Sequence, residues 1–534
     1  MLDGEALIRD CLSSSGSCWV SYRQIQEFTE KFGGRAEDIH PCVKAGKVVA
    51  RKGFYTLPEI DKMESGVAEK VLEMKYYNVP DPFPEKKIRA LVDEFERTKN
   101  EGRKLHEGQV NAVITMCNSK FCVITGGPGT GKTTVLTCAA YCMRSLRKDV
   151  SIVFTAPTGK AARRVAESSG ENACTVHKKF GLGFDDQKGA DRFFEDVLII
   201  DESSMNDLKL SSQIFSAIPN GRRVVWVGDT DQLPSVGEGA VLRDLIASGV
   251  VPVAKLTKTF RQNNDSTLFT NIVNVREGRP ELVEGPDFHA LRMADGAPDD
   301  EIVAEIMRQF SYGVKKYGVE QTVVLVPLRK SGLMKNGKRN LFCSDKLSNI
   351  LQRIANGKEK KFFYHRTAEP GDPGEAEAPG KGTYNDRLFK PGDMVMQLKN
   401  RKECANGDVG RVLDVNQAGV VAKFDGGVVK YKRSELDQLA LAYSMTVNKS
   451  QGSEYKFVVM VLLNCHTTML NRNILYTGIT RAKAECSVIY QQDALEKSVK
   501  TIADAGRVTL LKEKLLWLNE KYRYIMKTNS RRAA

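Results

Sequence analysis

The 534 residues, 41% of them hydrophobic, suffice for three or four domains with cores of their own, and 80 Lys and Arg against 66 Asp and Glu leave a net charge of +14 that favours a polyanionic partner, nucleic acid first. No stretch approaches the roughly 18 uncharged apolar residues of a membrane span, and the start Met1-Leu2-Asp3-Gly4-Glu5 lacks the basic and apolar regions of a signal peptide. The twelve cysteines form no CxxC pair, and no His stands near Cys138 and Cys142 at zinc-ligand spacing, so buried, reduced thiols in a cytoplasmic protein are expected.

Residues 1–102 read as a separate module. Helical periodicity at Ala6–Leu12 and Tyr22–Phe32 precedes a strand-like pair, Lys47–Ala50 and Gly53–Leu57, around a basic turn. That is a winged-helix-like pattern, shared with three-helix modules of other roles. Residues 103–255 change character: apolar runs recur at Phe121–Thr125, Ser151–Thr155, Val197–Ile200 and Val224–Val227, each followed by a Gly- or Asp-containing turn and most by a helical pattern. Fully apolar strands alternating with helices predict an α/β domain whose parallel sheet is covered on both faces. A second set, Thr322–Val326, Ala440–Thr446, Phe457–Leu463 and Cys486–Tyr490, predicts a second such domain in two parts, 256–385 and 437–500. Residues 367–382 are rich in Pro, Gly and Glu and read as a mobile loop. Turns at Pro391-Gly392-Asp393, Asn406-Gly407-Asp408 and Asp425-Gly426-Gly427 punctuate short strands and predict a small inserted β-barrel over 386–436. The terminal segment, 501–534, carries a basic amphipathic helix over 508–526, and no internal repeat is found.

Three of these strands end in residues with chemistry. Gly126-Gly127-Pro128-Gly129-Thr130-Gly131-Lys132-Thr133 fits G-x-x-x-x-G-K-[ST] between an apolar strand and a helix. Its glycines let backbone N–H groups turn towards phosphates, and the helix N-terminus adds its positive dipole end. Lys132 is expected to reach the β- and γ-phosphates and Thr133 to bind Mg²⁺. Some 70 residues on, Val197–Ile200 ends in Asp201 and Glu202, carboxylates suited to holding the metal and accepting a proton from the attacking water. Gly228-Asp229-Thr230-Asp231-Gln232-Leu233-Pro234 follows a further strand, and Gln232 is placed to sense the γ-phosphate.

In series these elements resemble superfamily 1 helicases of the RecD-like, subclass B group, over roughly residues 40–495. Leu105-His106-Glu107-Gly108-Gln109 resembles the adenine-reading Q motif, with Gln109 the reader. Thr155 to Ala162 resembles motif Ia, and Thr175-Val176-His177 the T-x-H element beside it. Asp201 to Met205 is similar to motif II, Gly228 to Gly237 to motif III, and Leu256 to Gln262 to motif IV. Thr446 to Glu454 is similar to motif V and Leu475 to Lys483 to motif VI. The segments Tyr55–Pro58 and Met63–Ala68 resemble the stretch preceding the motor in the longer RecD-like enzymes. Asn448 departs from the usual motif V His and Gly478 from the usual motif VI Ala; an amide donates and accepts but cannot be charged, so a charged role is not carried over to Asn448.

The resemblance implies two RecA-like P-loop domains, a Src-homology-3-like barrel as the insertion, and a short duplex-splitting pin near 178–196. It implies a nucleotide site of Gln109, Gly127, Pro128, Gly129, Thr130, Gly131, Lys132, Thr133 and Thr134, with Mg²⁺ on Thr133 and Asp201. Lys132, Asp201, Glu202 and Gln232 would catalyse hydrolysis, with Arg261 and Arg481 as arginine fingers. The nucleic-acid strand would meet Pro157, Thr158, Gly159, Lys160, Thr175, His177, Pro234, Ser235, Thr446, Asn448, Lys449 and Gln451, with Lys399 and the basic tail adding charge. The implied activity is ATP-dependent 5′→3′ movement on single-stranded DNA with unwinding of forked or tailed duplex, by a monomer, alone or with replication or recombination proteins. The alternatives are an ATP-switched nucleic-acid-binding subunit and a translocase that strips proteins without separating strands.

Overall fold

A computed structural model describes residues 4–77, 82–182, 193–260, 266–330, 340–357, 363–366, 386–401 and 403–533. The chain forms two compact units: residues 1–157, 162–261 and 504–534 make the first, residues 158–161 and 262–503 the second. The terminal helix, Leu511–Ala533, lies in the first unit.

The first unit opens with three helices, Gly4–Ser15, Tyr22–Phe32 and Ile39–Lys44, and a three-stranded antiparallel sheet in which Phe54–Thr56 lies between Val20–Ser21 and Val49–Arg51. The third helix and the strand at Val20 add to the pattern expected from sequence. Ser21 starts the second helix through a reciprocal cap with Gln24, whose N–H donates to the Ser21 hydroxyl at 3.3 Å while its side chain accepts the Ser21 N–H at 2.8 Å. Lys52 and Gly53, both at positive φ (51° and 79°), make the two-residue turn between the last two strands.

Behind this module, helix Pro58–Tyr76 packs against helices Leu208–Ala217 and Leu511–Ala533. The buried Glu64 ties the three regions together, accepting from the Trp19 indole at 2.9 Å and the Leu510 N–H at 3.0 Å and pairing with Lys514 at 3.1 Å.

The first unit's main sheet is wholly parallel and six-stranded, in the order Ala173–Thr175, Ile152–Ala156, Val197–Ile200, Arg223–Gly228, Phe121–Gly126, Val253–Leu256. Its faces explain the unbroken apolar runs. Phe121, Val123, Leu198, Ile200, Val224 and Trp226 point into the core shared with helix Pro58–Tyr76, while Cys122, Ile124, Val197, Ile199, Val225 and Val227 point into the core under helices Glu85–Thr98, Glu107–Asn118 and Lys132–Leu146.

The second unit holds a parallel five-stranded sheet ordered Phe288–Met293, Ala482–Gln491, Tyr455–Leu462, Thr322–Val326, Ser444–Thr446. The run Ala440–Thr446, expected as one strand, is divided: Leu439–Leu441 joins an antiparallel sheet and Ser444–Thr446 the parallel one. That antiparallel sheet orders Gly427–Lys432, Gly419–Phe424, Val409–Asn416, Met394–Gln397 and Leu439–Leu441. A further strand pair, Phe363–Arg366 with Asp386–Phe389, flanks the loop expected at 367–382, which lies outside the described residues, as does 183–192 of the expected pin. No disulfide joins the twelve cysteines, and among the described residues no helix is long and apolar enough to cross a membrane.

Candidate nucleotide site and strand-facing motifs

Strands Phe121–Gly126, Arg223–Gly228 and Val197–Ile200 are neighbours, with Thr125 paired to Gly228 and Ile200 to Trp226. Three motifs far apart in sequence thereby issue side by side from the carboxyl edge of one parallel sheet, the edge where α/β sheets bind ligands.

The loop after the first strand needs its glycines for two reasons. Gly129 and Gly131 sit at φ of 71° and 76°, open to Gly with little strain. A Cβ at Gly131 would also fall 2.4 Å from the Gln109 side-chain nitrogen. That amide donates to the Thr130 carbonyl at 3.0 Å, while its oxygen accepts the His106 N–H at 2.9 Å, so Gln109 is buried and fixed against the loop. The Thr130 hydroxyl donates to the Gly127 carbonyl at 2.9 Å, and the Lys132 ammonium donates to Gly126 and Gly127 carbonyls at 2.6 and 3.1 Å. Lys132 and Thr133 open helix Lys132–Leu146. Thr134 faces the flank of that helix, lining a cleft of about 780 Å³ with Thr137 and Tyr141. Phe260, which the sequence reading passed over within motif IV, donates its N–H to the Gly129 carbonyl at 2.7 Å and keeps its ring partly exposed beside the loop.

Asp201 follows the second strand and accepts the Glu202 N–H at 2.8 Å. Burial, and next the neighbouring Glu202 charge, push its carboxyl up; the Lys132 ammonium pulls the other way. Glu202 itself adopts left-handed backbone angles, φ 52° and ψ 36°, a conformation that costs a non-glycine residue about 1–2 kcal/mol and concentrates at functional sites. Gly228 leaves room for the turn after Glu202, since a Cβ there would lie 2.9 Å from the Ser203 hydroxyl.

After the third strand, Asp229 is the organising residue, and the sequence reading missed it. One of its carboxylate oxygens accepts the Asp231 N–H at 3.1 Å and the other the Gln232 amide at 3.3 Å, so Gln232 is buried with its side chain held. The Asp-x-x-Gln spacing of a side chain capping its own turn is the signal that would have found it. Ser235, expected at the nucleic-acid strand, turns its hydroxyl inward to the Gly237 carbonyl at 3.1 Å; Val236, next to it, is 83% exposed.

Of the other expected strand contacts, Pro157 and Thr175 follow or end strands of the first unit's sheet, and residues 158–160 belong to the second unit. Pro157 follows strand Ile152–Ala156, and Thr158 accepts the Ala161 N–H at 3.2 Å at the start of helix Gly159–Ser169, placing Gly159 and Lys160 in its first turn. Thr175 ends the edge strand and caps helix Val176–Phe180 through the Lys178 N–H at 3.1 Å, leaving His177 exposed.

In the second unit, Thr446 ends strand Ser444–Thr446 and accepts the Lys449 N–H at 3.3 Å. Asn448 is exposed, Gln451 is buried, and the Lys449 ammonium donates to Asn406 at 2.7 Å. Burial, then the Arg329 charge, push the Lys449 ammonium down. Lys399 pairs with Asp437 at 2.7 Å. Arg481 is 3% exposed, its guanidinium donating to the Thr477 and Ser453 carbonyls at 3.1 and 3.4 Å. Arg261 lies outside the described residues.

Residues 104–294 match a family model described as an AAA domain, and residues 441–489 one described as a UvrD-like helicase C-terminal domain. The ATP-dependent RecD2 DNA helicase of Deinococcus radiodurans is 32% identical over 466 residues, covering 86% of this chain and 58% of its own length. The RecBCD enzyme subunit RecD of Buchnera aphidicola subsp. Schizaphis graminum is 22% identical, covering 85% of this chain and 83% of its own. A crystal structure of Pif1 helicase from Bacteroides in complex with ADP-AlF3 and ssDNA aligns at 18% identity with a TM-score of 0.41, over 72% of this chain and 92% of that one.

Proposed function

We propose that this chain, which is similar to RecD-like helicases and matches an AAA-domain and a UvrD-like helicase C-terminal model, is an ATP-dependent DNA helicase that moves 5′→3′ along single-stranded DNA and unwinds duplex in replication, recombination or repair. The observation that carries this reading is the convergence of Lys132, Asp201, Glu202 and Gln232 at the carboxyl ends of three adjacent parallel strands.

In this reading Lys132 exchanges its loop carbonyls for the β- and γ-phosphates, and Gln109 reads the base from its fixed position under Thr130. Thr133 and Asp201 would hold Mg²⁺, hard oxygen donors of the kind that ion takes. A dication also offsets the burial that pushes the Asp201 carboxyl up. When bound, Mg²⁺ would supply neutralisation of phosphate charge. Glu202 accepts the proton of the attacking water, Gln232 senses the γ-phosphate from its seat on Asp229, and Arg261 and Arg481 keep the finger roles that the family implies.

Single-strand tracking needs backbone contacts and stacking and no base readout, which the motif Ia, III and V loops are suited to provide. The opening module, with three helices and a small sheet closed by a basic two-residue turn, is read as a winged-helix-like domain. The inserted antiparallel sheet is read as a Src-homology-3-like barrel. The protein is taken to act in the cytoplasm as a monomer.

The test is ATP hydrolysis with and without oligothymidylate, followed by unwinding of matched 5′- and 3′-tailed DNA and RNA duplexes. Stimulation that vanishes in Lys132→Ala, and unwinding of the 5′-tailed DNA only, are expected. An unstimulated wild-type rate sinks the motor reading; stimulation without unwinding leaves a translocase or an ATP-switched binding subunit.

A further inference from the structure

The loop Ser235–Gly239, beyond the γ-phosphate-sensing turn, is gripped by one side chain from the far end of the chain. Arg507 donates from one terminal nitrogen to the Gly237 carbonyl at 3.1 Å, the Gly239 carbonyl at 2.9 Å and the Ser235 hydroxyl at 3.3 Å, and from the other to the Ser235 carbonyl at 2.7 Å. Three alternate carbonyls of one loop thus converge on one planar guanidinium, a pattern that a lysine's single point charge cannot match. The hydrogen bonds of this guanidinium go to loop oxygens, so it serves the loop's shape.

The grip is anchored on every side within the first unit. Gly16 lies flat against the guanidinium: a Cβ there would fall 2.8 Å from it. The Gly16 carbonyl accepts the Gly239 N–H at 3.0 Å. The segment bearing Arg507 is fixed by Arg243, just beyond the loop, which pairs with Asp504 at 3.2 Å and donates to the Thr509 hydroxyl at 3.2 Å, and by the Val508 carbonyl, which accepts the Cys18 N–H at 2.9 Å. Leu208 donates its N–H to the Glu238 carbonyl at 2.8 Å. Against this held backbone, Val236 projects to solvent. The chain passes from the second unit to the first between Ala503 and Asp504, so the clamp lies a few residues beyond that crossing.

We propose that Arg507 is a positioning residue for nucleic-acid engagement: it sets the 235–239 loop so that its outer face meets the strand, while Gln232 is held separately by Asp229. The inference rests on the helicase reading. It predicts a split, in which loss of the clamp weakens the response to DNA and spares the nucleotide step.

Arg507→Ala and Arg507→Lys are compared with wild type as full chains, by hydrogen exchange and by ATPase titrated with oligothymidylate. In Arg507→Ala the Gly239 and Leu208 amides are expected to exchange faster, and the half-saturating oligothymidylate concentration to rise about tenfold, with basal rate and KM for ATP within about twofold; the lysine variant should fall between. Should Arg507→Ala not fold, the lysine variant decides by the same split. Unchanged exchange overturns the clamp, and faster exchange with unchanged half-saturation overturns its role in DNA engagement. A basal rate or KM for ATP that moves as far as the DNA response reduces Arg507 to a structural residue and overturns the proposal. A wild-type enzyme that DNA does not stimulate fails the helicase reading itself, and the exchange result then shows whether the clamp exists without that role.

Discussion

Acidification should act through His466 and Asp244 with opposite sign. His466, in the second unit, is buried, its Nδ1 accepting the Leu463 N–H at 3.1 Å and its Nε2 bonded to the Phe342 carbonyl at 2.9 Å. Burial pulls its pKa from 6.5 down to about 4. The folded state thus favours the neutral ring. That stability is fully present above the unfolded value and is lost as the pH falls towards the folded one. Between pH 7 and pH 5 the loss is about 20-fold in the folding constant, or about 2 kcal/mol. In the first unit, burial pushes the Asp244 carboxyl from 3.8 up to about 6, so protonation on the same descent favours the fold, by about 1 kcal/mol. All three tryptophans, Trp19, Trp226 and Trp517, lie in the first unit, so urea unfolding read by fluorescence reports that unit alone. Exchange of the Tyr455–Leu462 amides reports the second. His466→Gln keeps an acceptor and a donor without a titrating ring, so comparing it with wild type at each pH cancels intrinsic exchange and other titrations. The wild-type-to-variant exchange ratio should change about 20-fold between pH 7 and pH 5. A ratio that stays constant refutes the reasoning, and an Asp244→Asn variant whose fluorescence-detected stability follows the wild-type pH profile refutes its counterpart.

Two substitutions test the nucleotide site. Gly131→Ala forces a left-handed residue, costing about 1–2 kcal/mol, and drives a methyl into Gln109; nucleotide affinity measured by calorimetry should fall at least about tenfold, and unchanged affinity counts against the Gln109 contact. Glu202→Gln should lower DNA-stimulated kcat by about 10²–10⁴ with ATP binding retained, whereas Glu202→Gly, relieving the left-handed strain, should lose activity without lowering the melting temperature; hydrolysis that survives either change removes Glu202 as the base.

What was legible in the sequence was what chemistry forces to be contiguous. A phosphate-binding loop must be written within a few residues, so Gly126–Thr133 and its strand–helix setting were readable, as were the fully buried strands on either side. Edge strands were not: Ala173–Thr175, Val253–Leu256 and Phe288–Met293 pair on one side only and carry mixed burial, so they lack the apolar run that marks a central strand. The break at Ala442-Tyr443 was hidden for the opposite reason, because both halves of 439–446 are buried and only their partners differ. Arg507 was out of reach because its partners lie 270 residues away and are backbone oxygens, which leave no trace in side-chain pattern.

The places where the chain breaks local rules mark the site as well as any motif does. Glu202 keeps a backbone conformation that glycine would adopt more cheaply. In the turn after it, the Ser203 and Ser204 hydroxyls and both polar atoms of the Asn206 amide are buried without a hydrogen-bond partner, each at a cost of about 1–3 kcal/mol. A turn built for stability alone would place glycine at 202 and apolar residues after it. The flanking strands, Val197–Ile200 and Arg223–Gly228, are packed on both faces, which supplies the cohesion that holds such a turn in place. A left-handed residue and several unmatched polar groups thus coincide in the few residues that follow Asp201. That coincidence fits the proposed role, in which a rigid sheet supports a small, energetically unfavourable segment facing reacting phosphate.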